Sequence, residues 1–324
     1  MRELLFPCGP EWADGRRETR LLRASTSVDG ACALNSRSDG SISVKVIIHH
    51  NVMIVMIMMI EQTHPTPEER YFFDNNGYLV LKEFLLAEHV ARLTTRLQAV
   101  MAQRCEWQLQ GVAHTGMTSL NNDNTRIFYI LDDDPLFLEL LDYAPLMPYI
   151  RGFLGPMAHF HASDAIWETS GGNRAGWHID GHDQGYRDLR PAIPLLQLKI
   201  GYYLSDMSEP GQGDLMLVPG SHKVALEPTP TQTAGYDTFN GALEVCGPPG
   251  TCFMFHNAVW HTSGPWNKPN AQRILLYYAY ERPWLMGSTE HWRYPKSFYN
   301  EKLSPDQRRL FHGFVFDPPE TRWG

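Results

Sequence analysis

Three things are scarce in this sequence, and each scarcity excludes a class of protein. The cysteines are only five, an odd number without Cys-x-x-Cys spacing, which argues against a disulfide scaffold and against a zinc site. They are predicted to be buried thiols of an intracellular, cytoplasmic protein. No cluster of Lys and Arg occurs in a chain of net charge -8, so nucleic acid is not expected as a partner. The cysteines are Cys8, Cys32, Cys105, Cys246 and Cys252.

Long apolar runs are also absent. The longest uninterrupted one, residues 52–60, has nine residues. A helix that crosses a bilayer needs about 20, so no membrane span is predicted. This run contains four methionines and follows a stretch rich in Arg, Ser and Gly without sustained periodicity. Two interpretations of residues 1–60 stay open: translated sequence upstream of the true start, or a disordered tail.

The rest of the chain has the composition of a folded domain. With 324 residues, 43% of them hydrophobic, it can bury a sizeable core. The 26 Gly and 23 Pro indicate many loops between short elements. No internal repeat is evident. We predict a single domain over residues 61–324 and a monomer.

Local patterns predict a β-rich fold with flanking helices. Thr66-Pro-Glu-Glu is a typical helix start, and residues 87–104 have apolar side chains at three-to-four spacing. Tyr71 and the two phenylalanines after it are predicted to face a core. Short strands separated by Gly and Pro, without alternating helices, predict an antiparallel jelly roll with its core at about residues 120–282. The predicted strands are 78–84, 124–131, 159–167, 195–204, 215–222, 250–256 and 273–280.

A histidine and a carboxylate stand two residues apart in Gly176-Trp-His178-Ile-Asp180. On an extended strand such residues point to the same side, so both can bind one metal ion. Non-haem iron oxygenases use this pair together with one distant histidine. Because His-x-Asp also occurs by chance, the hypothesis needs a third ligand.

The predicted third ligand is His261, which lies 83 residues after His178 and just past a predicted strand. In a jelly roll, strands distant in sequence become neighbours, so His261 can reach the pair. Arg273 begins the next predicted strand and can bind a carboxylate through two parallel hydrogen bonds. Ser263 offers a hydroxyl on the same side.

Together these motifs resemble the phytanoyl-CoA dioxygenase family. They are His178-x-Asp180, then Val-Pro-Gly-Ser-His222, then Phe-His-Asn-Ala-Val-Trp-His261-x-Ser-Gly-Pro-Trp-Asn with Arg273 beyond. The pattern Phe73-x-x-Asn-Gly-Tyr-Leu-Val-Leu-x-x-Phe-Leu matches the family as well. The resemblance covers about residues 66–282.

The resemblance implies an Fe(II)/2-oxoglutarate-dependent dioxygenase on a double-stranded β-helix, the cupin-like jelly roll. Such an enzyme hydroxylates a small organic substrate, consumes O2, and releases succinate and CO2. By the resemblance His178, Asp180 and His261 are the iron ligands. Halogenases of the superfamily lack the carboxylate, so Asp180 favours hydroxylation.

The resemblance also implies how 2-oxoglutarate is held. Arg273 and Ser263 would bind its distal carboxylate. For a second contact Arg126 is the first candidate and Lys199 the second. Lys199 shares a strand face with Gln197.

Two rival functions are weighed beside this one. The first is a metal-binding jelly-roll enzyme that does not use 2-oxoglutarate, and Arg273 with Ser263 argues against it. The second is an inactive family member acting as a binding protein, and the intact His-Asp-His set argues against it. The net negative charge and the lack of a Lys and Arg cluster disfavour a CoA ester as substrate.

The C-terminal extension, residues 283–324, is predicted either to cover the barrel mouth or to close its end.

Overall fold

The computed structural model describes residues 64–111, 118–121, 124–169, 176–181, 185–285, 290 and 294–311, together with four strands nearer the N-terminus. Those strands are β1 (Ser25–Thr26), β2 (Cys32–Leu34), β3 (Ser43–His49) and β4 (Val52–Met58), and they form an antiparallel sheet of their own in that order. Most of the side chains of residues 1–60, and parts of the C-terminal extension, lie outside the described residues. The two interpretations of residues 1–60 stay predictions.

Helix α1 (Pro67–Asn76) begins where the sequence predicts. The Thr66 hydroxyl accepts a hydrogen bond from the Glu69 amide (3.2 Å), and the Glu69 carboxylate accepts one from the Thr66 amide (2.7 Å). Gly77, at φ +79°, ends the helix in the left-handed conformation that glycine adopts without strain. The prediction for Tyr71 is wrong, since it is 74% exposed while Phe73 is buried. Residues two apart on a helix lie about 200° apart, so both cannot face one core.

Strand β5 (Tyr78–Leu81) and the long helix α2 (Ala87–Leu109) follow, and α2 extends past its predicted end. The next helices are α3 (Pro135–Glu139), capped by Asp134, and α4 (Met147–Leu154). Two short helices, α5 (Pro230–Thr233) and α6 (Pro305–Arg308), come later in the chain.

Nine further strands complete the fold. They are β6 (Thr118–Asn121), β7 (Asn124–Phe128), β8 (His159–Glu168), β9 (Gln197–Tyr203), β10 (Leu215–Leu217), β11 (Leu243–Val245), β12 (Cys252–His256), β13 (His261–Ser263) and β14 (Arg273–Glu281). Seven antiparallel strands form a large sheet in the order β5-β12-β9-β14-β8-β7-β6, and three form a small sheet in the order β11-β10-β13.

The large sheet carries an apolar layer on each face. Along β14, Leu276 and Tyr278 point to the helix side, where they pack with α2, α3 and α4. Leu275 points to the other side, into a second core shared with Leu215 and Leu217 of the small sheet. Two facing antiparallel sheets with helices outside are the predicted jelly roll, and this fold class is confirmed.

The described part of the C-terminal extension packs on the helix side. Tyr294, Phe298 and Phe311 belong to the core between the helices and the large sheet. The Glu290 carboxylate accepts a hydrogen bond from the amide of Ser163 on β8 (2.6 Å). This part of the extension therefore covers the outer face of the large sheet, which neither predicted placement described.

No helix in the described residues combines the length and the apolarity that a transmembrane span requires. Cys246 and Cys252 are buried, as predicted, whereas Cys105 is only half-buried. The side chains of Cys8 and Cys32 lie outside the described residues.

Candidate metal centre

The two predicted metal-binding histidines face each other across a backbone bridge. The amide of each donates to the carbonyl of the other, at 3.1 Å from His178 and 3.0 Å from His261. Their ring centroids are 4.3 Å apart. The neighbours Trp177 and Ile179 are buried in an apolar cluster. Because side chains alternate along an extended chain, His178 and Asp180 share the opposite side.

Hydrogen bonds to the backbone decide which ring nitrogen is available to a metal. Nδ1 of His178 donates to the carbonyl of Gly176 (2.8 Å), and Nδ1 of His261 donates to the carbonyl of Val259 (2.9 Å). A carbonyl only accepts, so each Nδ1 carries a proton, and in the neutral imidazole the lone pair is then on Nε2. Burial, with His178 as the next cause, lowers the pKa of His261 to about 4. At neutral pH its imidazole is uncharged, which is the form that binds metals.

Asp180 completes the cluster from the same extended segment. Its amide donates to the carbonyl of Asn257 (2.8 Å), and its Oδ1 lies 3.8 Å from Nε2 of His261. Its Oδ2 is buried and has no hydrogen-bond partner among the described residues. Burial alone would raise the pKa of Asp180, but electrostatic interactions with His261 and with the Lys199 ammonium outweigh burial and hold this pKa below its ordinary value.

The three side chains fit a divalent cation. Their ligand atoms all lie within 4.8 Å of one another. Two bonds of about 2.1 Å to one ion place its ligand atoms at most about 4.2 Å apart, so the side chains would close slightly around a bound ion. Two imidazoles and one carboxylate on one side are the donor set of a non-haem Fe(II) centre with open positions opposite. The buried Oδ2 without a partner, in a carboxylate kept ionised, favours the same conclusion.

Arg273 is buried and is the first residue of β14 in the large sheet. Its Nη1 donates to Oε2 of Glu168 (3.0 Å) on the neighbouring strand β8. Ser263 ends β13 two residues after His261, so both side chains project from the same face of that strand. Ser263 is half-buried.

The two candidates for a further cosubstrate contact occupy different surroundings. Lys199 lies on β9 with its Nζ 5.2 Å from the centroid of the Tyr277 ring, and its charge contributes to the lowered pKa of Asp180. Arg126 lies on β7, and its Nε donates to Oδ2 of Asp164 on β8 (2.8 Å). The structure therefore brings Lys199 to the metal ligands and pairs Arg126 with an acidic neighbour.

Sequence reasoning missed three residues of the site. Glu168 had no signal, because its contact with Arg273 depends on the pairing of two strands far apart in sequence. Asn257 stood inside the recognised motif, yet nothing marked its Oδ1 as the acceptor for the amides of Leu196 (3.0 Å) and Gln197 (3.2 Å). Tyr277 lies within the predicted strand 273–280, and nothing in the sequence distinguishes it from a core residue. It is buried, which raises its pKa to about 12, but its ring lies against Lys199.

The sequence is similar to a protein family and to two ectoine dioxygenases. The sequence profile of the family described as Phytanoyl-CoA dioxygenase (PhyH) matches residues 73–273. An ectoine dioxygenase of Sphingopyxis alaskensis is 26% identical over 234 residues, which are 64% of this chain and 74% of that protein. An ectoine dioxygenase of Stutzerimonas stutzeri is 28% identical over 230 residues, 63% of this chain and 73% of that protein.

Solved structures give the same fold. The crystal structure of EctD from S. alaskensis with bound Fe has a TM-score of 0.57 and 24% identity, covering 68% of this chain and 78% of that one. EctD with 2-oxoglutarate and 5-hydroxyectoine has a TM-score of 0.56 with the same identity and coverage. Similarity at this identity shows that the jelly roll is shared.

Proposed function

The chain belongs to the phytanoyl-CoA dioxygenase family, and from that premise we propose that it is an Fe(II)/2-oxoglutarate-dependent oxygenase that hydroxylates a small organic molecule. The observation that carries the proposal is the convergence of the His178, Asp180 and His261 ligand atoms within 4.8 Å. Iron bound there would supply O2 activation coupled to the conversion of 2-oxoglutarate into succinate and CO2.

The chain's own residues would hold the metal in one orientation. Nε2 of His178 and Nε2 of His261 point away from the carbonyls that bind Nδ1, and Asp180 supplies the only charge among the three ligands. Three protein ligands on one side leave the opposite positions to cosubstrate and O2. Asp180 also supports hydroxylation, since its carboxylate takes the position that a halide ligand would need.

Arg273 supports the use of 2-oxoglutarate. Its guanidinium is buried, and its Nε has no hydrogen-bond partner among the described residues. A buried cation with an unused donor attracts a carboxylate more strongly than an exposed one, because water screens it less. Ser263 would add a hydroxyl to the same carboxylate. Lys199 is the better candidate for the further contact, since its charge already acts on Asp180.

The proposed substrate is a small organic molecule. Two relatives are named ectoine dioxygenases, and the EctD crystal structure contains 5-hydroxyectoine. These proteins act on or bind small polar compounds, which supports the substrate class. The compound itself is a matter for screening once the cosubstrate is established.

The test is an anaerobic titration of metal-free protein with Fe(II) and then with 2-oxoglutarate, followed by visible absorption. We expect the weak charge-transfer band of the 2-oxoglutarate chelate in the wild-type protein. His178→Ala should abolish it by losing iron. Arg273→Ala should keep iron but weaken 2-oxoglutarate binding by about tenfold or more, because a charged hydrogen-bonding partner is removed.

Two other outcomes would reject the proposal. Tight iron binding with no band at any 2-oxoglutarate concentration would indicate an enzyme that does not use this cosubstrate. Failure of the wild-type protein to bind iron would indicate a binding protein. Arg273→Lys serves as the matched control, since it keeps the charge and removes the planar pair of donors.

A further inference from the structure

Glu168 and Arg273 form an ion pair that spans two strand ends. Glu168 is the last residue of β8, Arg273 is the first of β14, and the two are directly opposite in the antiparallel pairing. Oε2 of Glu168 lies 3.0 Å from Nη1 of Arg273, and the side chains are 17% and 7% exposed. The carboxylate is thus a mostly buried partner held in place by the sheet.

This pair uses only part of the guanidinium. A guanidinium presents two pairs of parallel donors, one formed by Nη1 with Nη2 and the other by Nε with Nη2. Glu168 accepts from Nη1, while Nε is buried and has no partner in the described part of the chain. A buried charged donor without an acceptor is costly, so the Nε and Nη2 side points to a ligand.

The stem of Arg273 is confined as well. Gly213 has φ +82°, and a Cβ added there would lie 3.2 Å from Cδ of Arg273 and 2.7 Å from the ring of Trp266. The backbone at Gly213 therefore passes close to the stem, and Glu168 restrains the head group. These two contacts leave the guanidinium little freedom to rotate.

We propose that Glu168 is a positioning residue for the cosubstrate. It holds Arg273 so that the Nε and Nη2 donors, rather than Nη1, face the distal carboxylate of 2-oxoglutarate. The inference rests on the proposed function, because it assigns Arg273 to that carboxylate. Without Glu168 the guanidinium rotates and no longer offers two parallel donors to the ligand.

Binding of two 2-oxo acids to the Fe(II)-loaded protein, measured by anaerobic calorimetry, tests the role. 2-Oxoglutarate has a distal carboxylate, whereas pyruvate has the same 2-oxo acid end without it. Glu168→Ala should weaken 2-oxoglutarate binding about tenfold and leave pyruvate binding unchanged, because only the distal contact is lost. Glu168→Gln keeps an acceptor for Nη1 and should stay close to the wild type.

Arg104 and Asp133 provide the matched control, as a second buried arginine–carboxylate pair between α2 and the segment before α3. Asp133→Asn should lower the thermal midpoint without changing the affinity for either acid. If Glu168→Ala binds 2-oxoglutarate as tightly as the wild type or more tightly, the inference is overturned. Glu168 would then either have no effect on Arg273 or compete with 2-oxoglutarate for its guanidinium. Equal weakening of both acids would overturn it too. If the wild type binds no 2-oxoglutarate, the proposed function itself fails.

Discussion

Lys199 and Arg126 differ in the side chains that their neighbouring strands place beside them. Both lie on strands of the large sheet, and both were candidates for the same contact. Asp164 on β8, two residues from the register partner of Arg126, accepts a 2.8 Å hydrogen bond from the Nε of that guanidinium. Lys199 has its Nζ 5.2 Å from the centroid of the Tyr277 ring, and its charge helps to lower the pKa of Asp180.

Substituting each basic residue should separate their roles. Lys199→Met should weaken 2-oxoglutarate binding about tenfold, because a cation beside the metal ligands is lost. Arg126→Met should change that affinity by no more than about twofold, but it should lower stability because Asp164 is buried and loses its partner. Calorimetry and thermal unfolding measure the two effects. A larger loss of affinity in Arg126→Met would reverse the assignment.

Asp214 carries a pH dependence of folding. Its carboxylate is fully buried and lies against the carboxylate of Glu244, to which it donates a hydrogen bond when protonated. Burial, and next the nearby Glu244, raises the pKa of Asp214 to about 8 from an ordinary value of 3.8. Between those two pH values the folded chain keeps a proton that the unfolded chain releases. The free energy of unfolding therefore falls as pH rises from about 4 to 8.

Asp214→Asn should remove this contribution. Relative to the variant, the wild type should lose stability steadily as the pH is raised from 5 to 8. The measurement is urea unfolding of both proteins at several pH values in this range. Parallel curves for the two proteins would show that Asp214 does not hold a proton in the folded state.

Among the elements, helix α1 is linked to the metal site through its C-terminal glycine. A Cβ added at Gly77 would lie 2.3 Å from Cγ2 of Val259 and 2.6 Å from Nδ1 of His222. The carbonyl of Val259 in turn holds Nδ1 of His261. The packing of Gly77 against Val259 therefore helps to fix the orientation of the His261 imidazole.

Two substitutions at the ends of α1 should have different consequences. Thr66→Ala removes the helix cap and should cost about 1 kcal/mol of stability with no change in iron affinity. Gly77→Ala should cost more than about 1 kcal/mol and also weaken iron binding, because Val259 must shift. Denaturant unfolding and Fe(II) titration test both. Unchanged iron affinity in Gly77→Ala would show that Val259 moves without disturbing His261.

Element positions were largely predictable from the sequence, but element ends were not. The Thr66 cap and the turns with Gly and Pro marked where helices and strands begin. The strand predicted to reach residue 222 ends at Leu217, just before the Pro-Gly turn at Gly220 (φ +76°). The strand predicted to reach residue 131 ends at Phe128, since Tyr129 has φ +60°. A strand ends where its partner ends, and local sequence does not contain the partner.

The clustering of the three candidate metal ligands was predictable for a different reason. Their residue types are chemically specific, and the two-residue spacing of His178 and Asp180 has a simple consequence on an extended chain. The geometry agrees with that expectation, although roles in metal or cosubstrate binding stay proposals. The contact between Glu168 and Arg273 was not predictable, because it depends on strand register across the sheet.

For the molecule as a whole, the site and the described part of the C-terminal extension lie on opposite sides of the large sheet. That part of the extension packs with the helices, while the candidate metal cluster and Arg273 lie on the side of the small sheet. The three apolar clusters all come from residues 73–311. Strands β1 to β4 pair with one another in a sheet of their own.

A chain shortened to residues 61–324 should therefore keep the properties of the full chain. We expect the same thermal midpoint within about 2 °C, since a change of 1 kcal/mol shifts a domain of this size by roughly that amount. Iron and 2-oxoglutarate affinities should also be unchanged. A clearly lower midpoint would show that the first sixty residues are part of the folded unit.

The backbone bridge between His178 and His261 has a consequence for how such an enzyme can evolve. The distance between the two imidazoles is set by paired main-chain amides and carbonyls, and the amide of residue 180 is held separately by Asn257. None of these bonds uses the carboxylate of Asp180. A single codon change at position 180 could thus alter the reaction at the iron while both histidines stay in place, so new chemistry is accessible without an intermediate that has lost its metal.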